Sequence, residues 1–357
     1  MKTKPMTKFA ILALSLVLVA CAGGGSEEAG CPAIDGREIN VVATTPMIGE
    51  FVSQVGGEKI NLTVLMPPEA NPHTYEPAPQ DAGTIAEADL VFYTGLLYEP
   101  AALVKLLENS ACSTDILSEV GESVFPIEFK EGGHDDHDDH DDHDDEEGHD
   151  DEEGHDDEEG HDDEEGHDDE EGHDDHEGHN HGAYDPHFWF DPSRVAYAAE
   201  YIESRLIEFD PENESSYKSS ADSFVSELND LTKQVSELIS TVPSQNRKLI
   251  TTHESLGYLE AKFGLEVLST IIPSLNSANE ISPSDLAGVI DVIEDNNVKV
   301  IFIESEAPSV YSETIVAETG IKPVTGLYVE TLKPGQSYSE FVISNVTLIT
   351  ENLQDTD

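Results

Sequence analysis

The chain has 357 residues, 37% of them hydrophobic, and a formal net charge of −59 at pH 7, so it is long enough for two domains. Such an acidic chain would repel phosphate groups, which excludes nucleic acid as a partner. The charge favours binding of cations, and a solvated acidic surface adapted to salt is the alternative explanation.

The N-terminus has the pattern of an export signal over residues 1–20. Three lysines precede an apolar run over residues 9–20, which is shorter than the roughly 20 residues of a membrane span. The run ends in Leu-Val-Ala-Cys, which looks like a lipobox with Cys21 as the lipidated first residue of the mature protein. An ordinary cysteine of a signal peptide is the alternative. Residues 21–37 would form a flexible tether, and we expect an extracytoplasmic protein anchored to the cell membrane.

Two further cysteines, Cys31 and Cys112, precede segments of the first lobe. Outside the cell an even pair favours a disulfide. A metal-binding pair is the alternative, but no third thiol remains to complete such a site.

Short β-branched runs alternate with helical patterns from residue 38 onward, which predicts βαβ units and a mostly parallel sheet. The predicted strands are residues 39–43, 60–66, 90–94 and 124–129, and the predicted helices are 47–55, 80–86 and 100–107.

Residues 131–181 form an acidic repeat with 30 acidic and no basic residues, and we predict that it is disordered without ligand. Imidazole beside carboxylate binds divalent metals weakly, so many copies would form an auxiliary metal-binding loop. Repeat expansion that adds only solvated charge is the alternative. The twelve histidines of this tract are His134, His137, His140, His143, His149, His155, His161, His167, His173, His176, His179 and His181.

After the tract, helices are predicted over residues 194–209 and 211–241. The second has apolar residues spaced by threes and fours, and at ~1.5 Å per residue it would be about 45 Å long. Such a helix could rigidly join two lobes. A coiled-coil dimer seam is the competing interpretation.

A second alternation of strands and helices follows, which indicates another α/β lobe. We therefore predict an α/β fold of two lobes, each with a mostly parallel sheet flanked by helices, joined by one long rigid helix. The N-terminal lobe would span residues 38–210, the linking helix 211–241 and the C-terminal lobe 242–357. Predicted strands of the second lobe are 248–252, 267–271, 298–303 and 323–325, and predicted helices are 255–263, 283–296, 309–319 and 338–352.

Three isolated histidines, His73, His187 and His253, each lie at the end of a predicted strand or in the loop after one. His187 is fixed between Pro186 and an aromatic triplet that contains the single tryptophan of the chain. Ligands of open α/β sheets bind beyond the carboxyl ends of the strands. Three imidazoles with a carboxylate or water form a common zinc site, and imidazole suits zinc better than manganese.

These motifs resemble those of the zinc/manganese-type solute-binding proteins of ABC importers. The segment Pro-His-Thr-Tyr-Glu-Pro around His73, Asp-Pro-His-Phe-Trp around His187, and Thr-His-Glu-Ser-Leu-Gly-Tyr around His253 match the three ligand motifs of that family. A histidine at position 253 is similar to the zinc-type version, whereas manganese-type members carry a carboxylate there. A His-rich acidic insertion before the second motif is also typical of zinc-type members.

The resemblance implies a fourth ligand in a loop near the C-terminus, where members with four protein ligands place an aspartate. Glu330 occupies the corresponding segment, and its side chain reaches one methylene further. Either Glu330 or a water would complete the site. Glu304 is expected to be a hinge or hydrogen-bonding residue instead of a ligand.

The resemblance implies a monomeric lipid-anchored receptor that delivers Zn²⁺ to the permease of an ABC importer. Manganese is the alternative cargo, and a surface metal buffer or adhesin without a transporter is the alternative function. A zinc hydrolase is a third possibility, but the sequence has no His-Glu-x-x-His, Gly-x-Ser-x-Gly or P-loop motif, so we expect no enzymatic activity.

Overall fold

The computed structural model describes residues 31, 34, 36–68, 70–129, 184–306 and 310–354. The predictions for the export signal, Cys21 and the acidic tract lie outside these residues. Within them, no helix combines the length and apolar character needed to cross a membrane.

The first lobe is built on a four-stranded, all-parallel sheet in the order β2-β1-β3-β4, as the alternating pattern predicted. Prolines at the first position and side-chain caps such as Thr45, whose Oγ1 accepts a hydrogen bond from Ile48 N–H, start several of its helices. Its strands are β1 Ile39–Ala43, β2 Ile60–Val64, β3 Leu90–Tyr93 and β4 Leu117–Glu119, and its helices are α1 Pro46–Gly56, α2 Pro79–Ala86, α3 Ala101–Ser110 and α4 Pro192–Phe209.

The predicted strand over residues 124–129 is wrong. The fourth strand is Leu117–Glu119, which is too short for its alternation to be recognised in the sequence. A 3-10 turn over Gly121–Val124 follows it, and Phe125 then adopts a left-handed conformation with φ 53° that interrupts extended structure. Residue Glu128 forms an isolated antiparallel bridge with Tyr184.

The long helix α5 spans Glu214–Ser240, 27 residues, after a 3-10 turn over Pro211–Asn213. Its apolar stripe, which includes Phe224, Leu231 and Ile239, is buried inside the chain, where α5 packs against α1, α4 and α9 (Tyr338–Gln354). The stripe therefore stabilises the fold of the chain itself, and the coiled-coil interpretation is wrong.

The second lobe holds two parallel strand pairs, β5-β6 and β7-β8. The pairs lie side by side, and Glu304 N–H at the end of β7 donates to Thr252 Oγ1 of β5 at 3.0 Å. Its strands are β5 Lys248–His253, β6 Glu266–Ile272, β7 Val300–Glu304 and β8 Lys322–Leu327, and its helices are α6 Gly257–Phe263, α7 Pro283–Asp295, α8 Val310–Thr319 and α9.

One hydrophobic core runs through both lobes. Phe51 of α1 contacts Phe188, Phe224 of α5 and Tyr338 of α9, with ring centroids 5.2 to 6.3 Å apart. Phe190 packs on Phe341 of α9 in the same cluster. This shared core supports both walls of the cleft between the lobes.

A disulfide joins Cys31 to Cys112. It ties the start of the described chain to the segment just after α3, so the metal-pair alternative does not apply to these two residues.

Candidate metal site

Four side chains that can ligate a metal meet in the cleft: His73, His187, His253 and Glu330. One ligand atom from each residue lies within 4.8 Å of those of the other three. The cluster thus unites the three histidines and the carboxylate that the sequence singled out.

His73 lies in the 3-10 turn Pro72–Thr74, which follows β2. Asn71 caps this turn, and its side chain accepts a hydrogen bond from His73 N–H at 2.9 Å. The cap and the fixed φ of Pro72 hold the imidazole toward the cleft, where its Nε2 lies 3.0 Å from Glu330 Oε1.

His187 is fully buried between Asp185 and the 3-10 turn Phe188–Phe190. Asp185 Oδ1 lies 2.8 Å from His187 Nδ1 and also accepts from His187 N–H at 2.8 Å. A carboxylate at Nδ1 fixes the Nδ1-protonated tautomer, so Nε2 is the free ligand atom.

His253 ends strand β5 and is fully buried. Its Nδ1 hydrogen-bonds Glu304 Oε2, and its backbone N–H donates to Glu304 Oε1 at 3.1 Å. Glu304 therefore orients the imidazole instead of ligating, which agrees with the hydrogen-bonding role expected for it. The Nε2 atom of His253 again faces the cleft.

Glu330 follows β8 and is fully buried. Tyr98 of the first lobe donates from its hydroxyl to Glu330 Oε2 at 2.9 Å and to the Glu330 carbonyl at 3.2 Å. Trp189 Nε1–H donates to the carbonyl of Val329 at 2.8 Å, which anchors the same loop. Two aromatic residues of the first lobe thus position the carboxylate that the second lobe contributes.

The oxygens of Glu330 lie close to the Nε2 atoms of all three histidines. Glu330 oxygens lie 3.0 Å from Nε2 of His73, 2.9 Å from that of His253 and 3.5 Å from that of His187. A tetrahedral ion with metal–ligand bonds of about 2.0–2.1 Å separates its ligand atoms by about 3.3 Å, so small shifts of Glu330 would allow one of its oxygens to join the imidazoles around one ion. Within the described residues, Nε2 of His187 and of His253 is buried and makes no hydrogen bond of acceptable geometry, as expected for nitrogens that are directed at a shared ion.

The electrostatics of the cluster are strongly coupled. Burial lowers the pKa of His187, but Asp185 and Glu330 outweigh it and raise the pKa from 6.5 to about 9. Burial likewise opposes protonation of His253, yet Glu304 and Glu330 hold its pKa well above the usual value. Burial raises the pKa of Glu330, and the neighbouring His73 and His253 outweigh this and keep it well below its usual value.

Sequence reasoning missed several residues that position the possible ligands, among them Asp185, Tyr98 and Glu306. Asp185 could have been recognised, because a carboxylate two residues before the ligand in an Asp-Pro-His turn can bond the backbone locally. Tyr98 gave no signal, because its partner Glu330 is 232 residues away in the chain. Glu306, whose side chain accepts from the N–H groups of Val329 and Glu330, gave none either.

A two-lobe α/β fold with a cluster of four possible metal ligands between its lobes indicates a metal-binding protein. A family model described as "Zinc-uptake complex component A periplasmic" (ZnuA) matches residues 41–352. The chain belongs to this family, whose members are extracytoplasmic metal-binding receptors of ABC importers.

Similar proteins carry the names of two metals. The chain is 25% identical over 360 residues to the manganese ABC transporter substrate-binding lipoprotein PsaA of Streptococcus anginosus, covering 98% of this chain and 99% of that protein. It is 27% identical over 355 residues to the high-affinity zinc uptake system protein ZnuA of Bacillus subtilis, covering 97% and 96%.

Solved structures share the fold. The periplasmic zinc-binding protein TroA from Treponema pallidum aligns with a TM-score of 0.70 at 20% identity, over 88% of this chain and 99% of that chain. Fe(III)-bound YtgA from Chlamydia trachomatis aligns with a TM-score of 0.68 at 23% identity, over 88% and 98%. These matches agree with the predicted two-lobe architecture.

Proposed function

We propose that this protein is a lipid-anchored receptor that captures Zn²⁺ outside the cell and delivers it to the permease of an ABC importer. His73, His187, His253 and Glu330 hold one ion in the cleft. The single observation that carries the choice of zinc is the buried imidazole of His253, which makes the ligand set three nitrogens and one oxygen. Zinc favours such a set, whereas manganese favours oxygen ligands.

The residues around the ligands support the same choice. Asp185 and Glu304 each accept a hydrogen bond at Nδ1 of a ligand histidine, an arrangement that recurs around zinc and raises the basicity of the imidazole. Glu330 is the fourth ligand in this proposal, since its buried carboxylate lies within 3.0 Å of Nε2 of both His73 and His253.

Manganese is the second candidate cargo, because relatives of similar identity are named as manganese receptors. A cluster with one carboxylate and three imidazoles would bind Mn²⁺ more weakly than Zn²⁺, following the general order of divalent affinities. The two cargoes therefore differ in a measurable ratio of affinities.

In this proposal the N-terminus anchors the receptor and the acidic tract collects the ion. Lipidation at Cys21 would keep the cleft near the membrane, and the permease would receive the ion there. The tract of residues 131–181 would raise the local concentration of Zn²⁺ by weak binding at its His-Asp pairs.

Metal analysis of protein that lacks residues 131–181, purified without added metal, tests the proposal. We expect one equivalent of zinc, and competition with Mn²⁺ that requires a large excess of manganese. Manganese as the main metal would select the second candidate, and the absence of any tightly bound metal would refute a receptor site in the cleft.

A further inference from the structure

A hydrogen-bonded bridge joins the backbone of His73 to the backbone of Glu330 without using either ligand side chain. Asn71 Oδ1 accepts from His73 N–H at 2.9 Å, and Asn71 Nδ2 donates to the carbonyl oxygen of Glu306 at 3.4 Å. The carboxylate of Glu306 in turn accepts from Glu330 N–H at 3.4 Å. The bridge therefore passes through two side chains, Asn71 and Glu306.

The bridge spans the cleft. Asn71 belongs to the loop after β2 of the first lobe, whereas Glu306 follows β7 of the second lobe. Asn71 Nδ2 also donates at 3.0 Å to Oγ of Ser277, a buried residue in the loop after β6. One amide group thus contacts two separate loops of the opposite lobe.

Capping of the His73 turn alone does not account for this geometry. A cap uses only the side-chain oxygen, and serine caps about as well as asparagine. The amide nitrogen of Asn71 has no part in capping, yet it donates to Ser277 and to Glu306 across the cleft. The asparagine therefore serves two purposes that substitution can separate.

We infer that Asn71 is a positioning residue that fixes His73 relative to Glu330 across the cleft and thereby slows the release of the bound divalent cation. The inference rests on the proposed function, in which both residues ligate that ion. An ion leaves when its ligands separate, and the bridge resists separation of the loops that carry these two ligands.

The test compares Asn71→Ser, which keeps the cap but is too short to reach the second lobe, with Ser277→Ala, which removes the second acceptor of the Asn71 amide on the opposite lobe. The control is Asn61→Ser, because the amide of Asn61 also donates to a side chain at 3.0 Å, but to Asn40 within the first sheet. Each full-length protein is loaded with Zn²⁺ and mixed with excess chelator. We assign the slow phase of Zn²⁺ transfer to the cleft, because ions held weakly by the tract would leave faster.

We expect Asn71→Ser to release Zn²⁺ about ten times faster than wild type, because the variant loses one or two hydrogen bonds across the cleft. Ser277→Ala gives a smaller acceleration and adds nothing in the Asn71→Ser background, and Asn61→Ser keeps the wild-type rate. If Asn71 has only a structural role, Asn71→Ser lowers the unfolding midpoint of the metal-free protein but leaves the rate of the slow phase unchanged. That result would overturn the inference. If Asn71→Ser does not fold, the rate of Zn²⁺ release from Ser277→Ala tests the inference. A rate above that of wild type supports the inference, and an unchanged rate overturns it.

The wild-type protein separates this inference from the proposed function. If the wild-type protein holds no Zn²⁺ tightly, both the proposed function and the role of the bridge are refuted. If the wild-type protein holds Zn²⁺ tightly and Asn71→Ser releases it at the same rate, only the role of the bridge is refuted.

Discussion

His73 Nε2 and Glu330 Oε1 lie 3.0 Å apart, although 257 residues separate them in the chain. They come from opposite lobes, so the contact exists only when both lobes hold their ligand loops in place. Tyr98 and Trp189, two side chains of the first lobe, anchor the loop of Glu330 from the other side of the cleft. The site is thus a product of the interface between the lobes, and its properties can be tested residue by residue.

Replacement of His187 by alanine should weaken Zn²⁺ binding more than about a hundredfold, the upper end of the loss seen for an outer-sphere partner of a metal ligand. The reason is that a fully buried imidazole with a free Nε2 is removed from the ligand set. Competition with a chelator in protein that lacks residues 131–181 measures the affinity. Circular dichroism of the metal-free variant controls for folding, and an unchanged affinity would exclude His187 as a ligand.

Glu304→Gln should weaken Zn²⁺ binding by about 10- to 100-fold without removing a ligand. The amide can no longer fix His253 as the Nδ1-protonated tautomer through a charged acceptor, so Nε2 becomes a poorer ligand. Asp185→Asn tests the equivalent contact to His187 and should have a similar effect. Asp115→Asn, at an exposed position away from the cluster, is the control. Equal affinities in all variants would show that these carboxylates do not tune the site.

The affinity for Zn²⁺ should rise with pH up to about 9. In the metal-free protein the pKa of His187 is raised from 6.5 to about 9, so an entering ion must displace its proton at neutral pH. The pKa of His253 is also held well above its usual value, so at least one proton is displaced, which predicts a rise of at least about tenfold per pH unit. Titrations between pH 6 and 9, corrected for the chelator, measure this dependence. An affinity that is constant above pH 7 would contradict it.

The stability of the metal-free protein should decrease with pH, whereas its affinity for Zn²⁺ increases. Because the folded-state pKa of His187 lies above its value of 6.5 in an unfolded chain, its contribution is fully present below pH 6.5 and disappears as pH rises through about 9. The free energy of unfolding of the metal-free protein should therefore fall over this window. The His187→Ala variant is the control, and its stability should change less over the same pH range.

Most of the fold was predictable from local patterns, because strands such as Ile39–Ala43 and helices such as Glu214–Ser240 carry clear periodicities. The three histidines of the cluster were predictable because each lies in a distinctive motif, although only His73 and His253 lie after or at the end of a strand. Contacts that depend on packing of the lobes were not. Neither the bond from Tyr98 to Glu330 nor the bridge through Asn71 leaves a mark in the sequence, because each joins segments that are close only in the folded chain.

Deletion of residues 131–181 should leave the tight site intact and slow growth of the host at low zinc. The four proposed ligands all lie outside the tract, whose His-Asp pairs would contribute only weak capture. Calorimetry of the deleted protein measures the tight site, and growth in zinc-depleted medium measures uptake. A deletion that abolishes tight binding would place the site in the tract instead of the cleft.

Replacement of His253 by glutamate should shift the preference from zinc toward manganese. The change makes the ligand set two imidazoles and two carboxylates, and oxygen ligands suit Mn²⁺ better than nitrogen ligands do. A carboxylate at this position would face Glu304, which hydrogen-bonds His253, so the substitution is best combined with Glu304→Gln.

The measurement is the ratio of Zn²⁺ to Mn²⁺ affinity in the double variant, with Glu304→Gln alone as the control. We expect this ratio to fall by at least about tenfold, mainly through weaker binding of zinc. Glu304→Gln alone weakens both metals and should leave the ratio close to that of wild type. If the double variant kept the wild-type ratio, the nitrogen of His253 would not be the source of selectivity, and the argument for zinc from this ligand would fail.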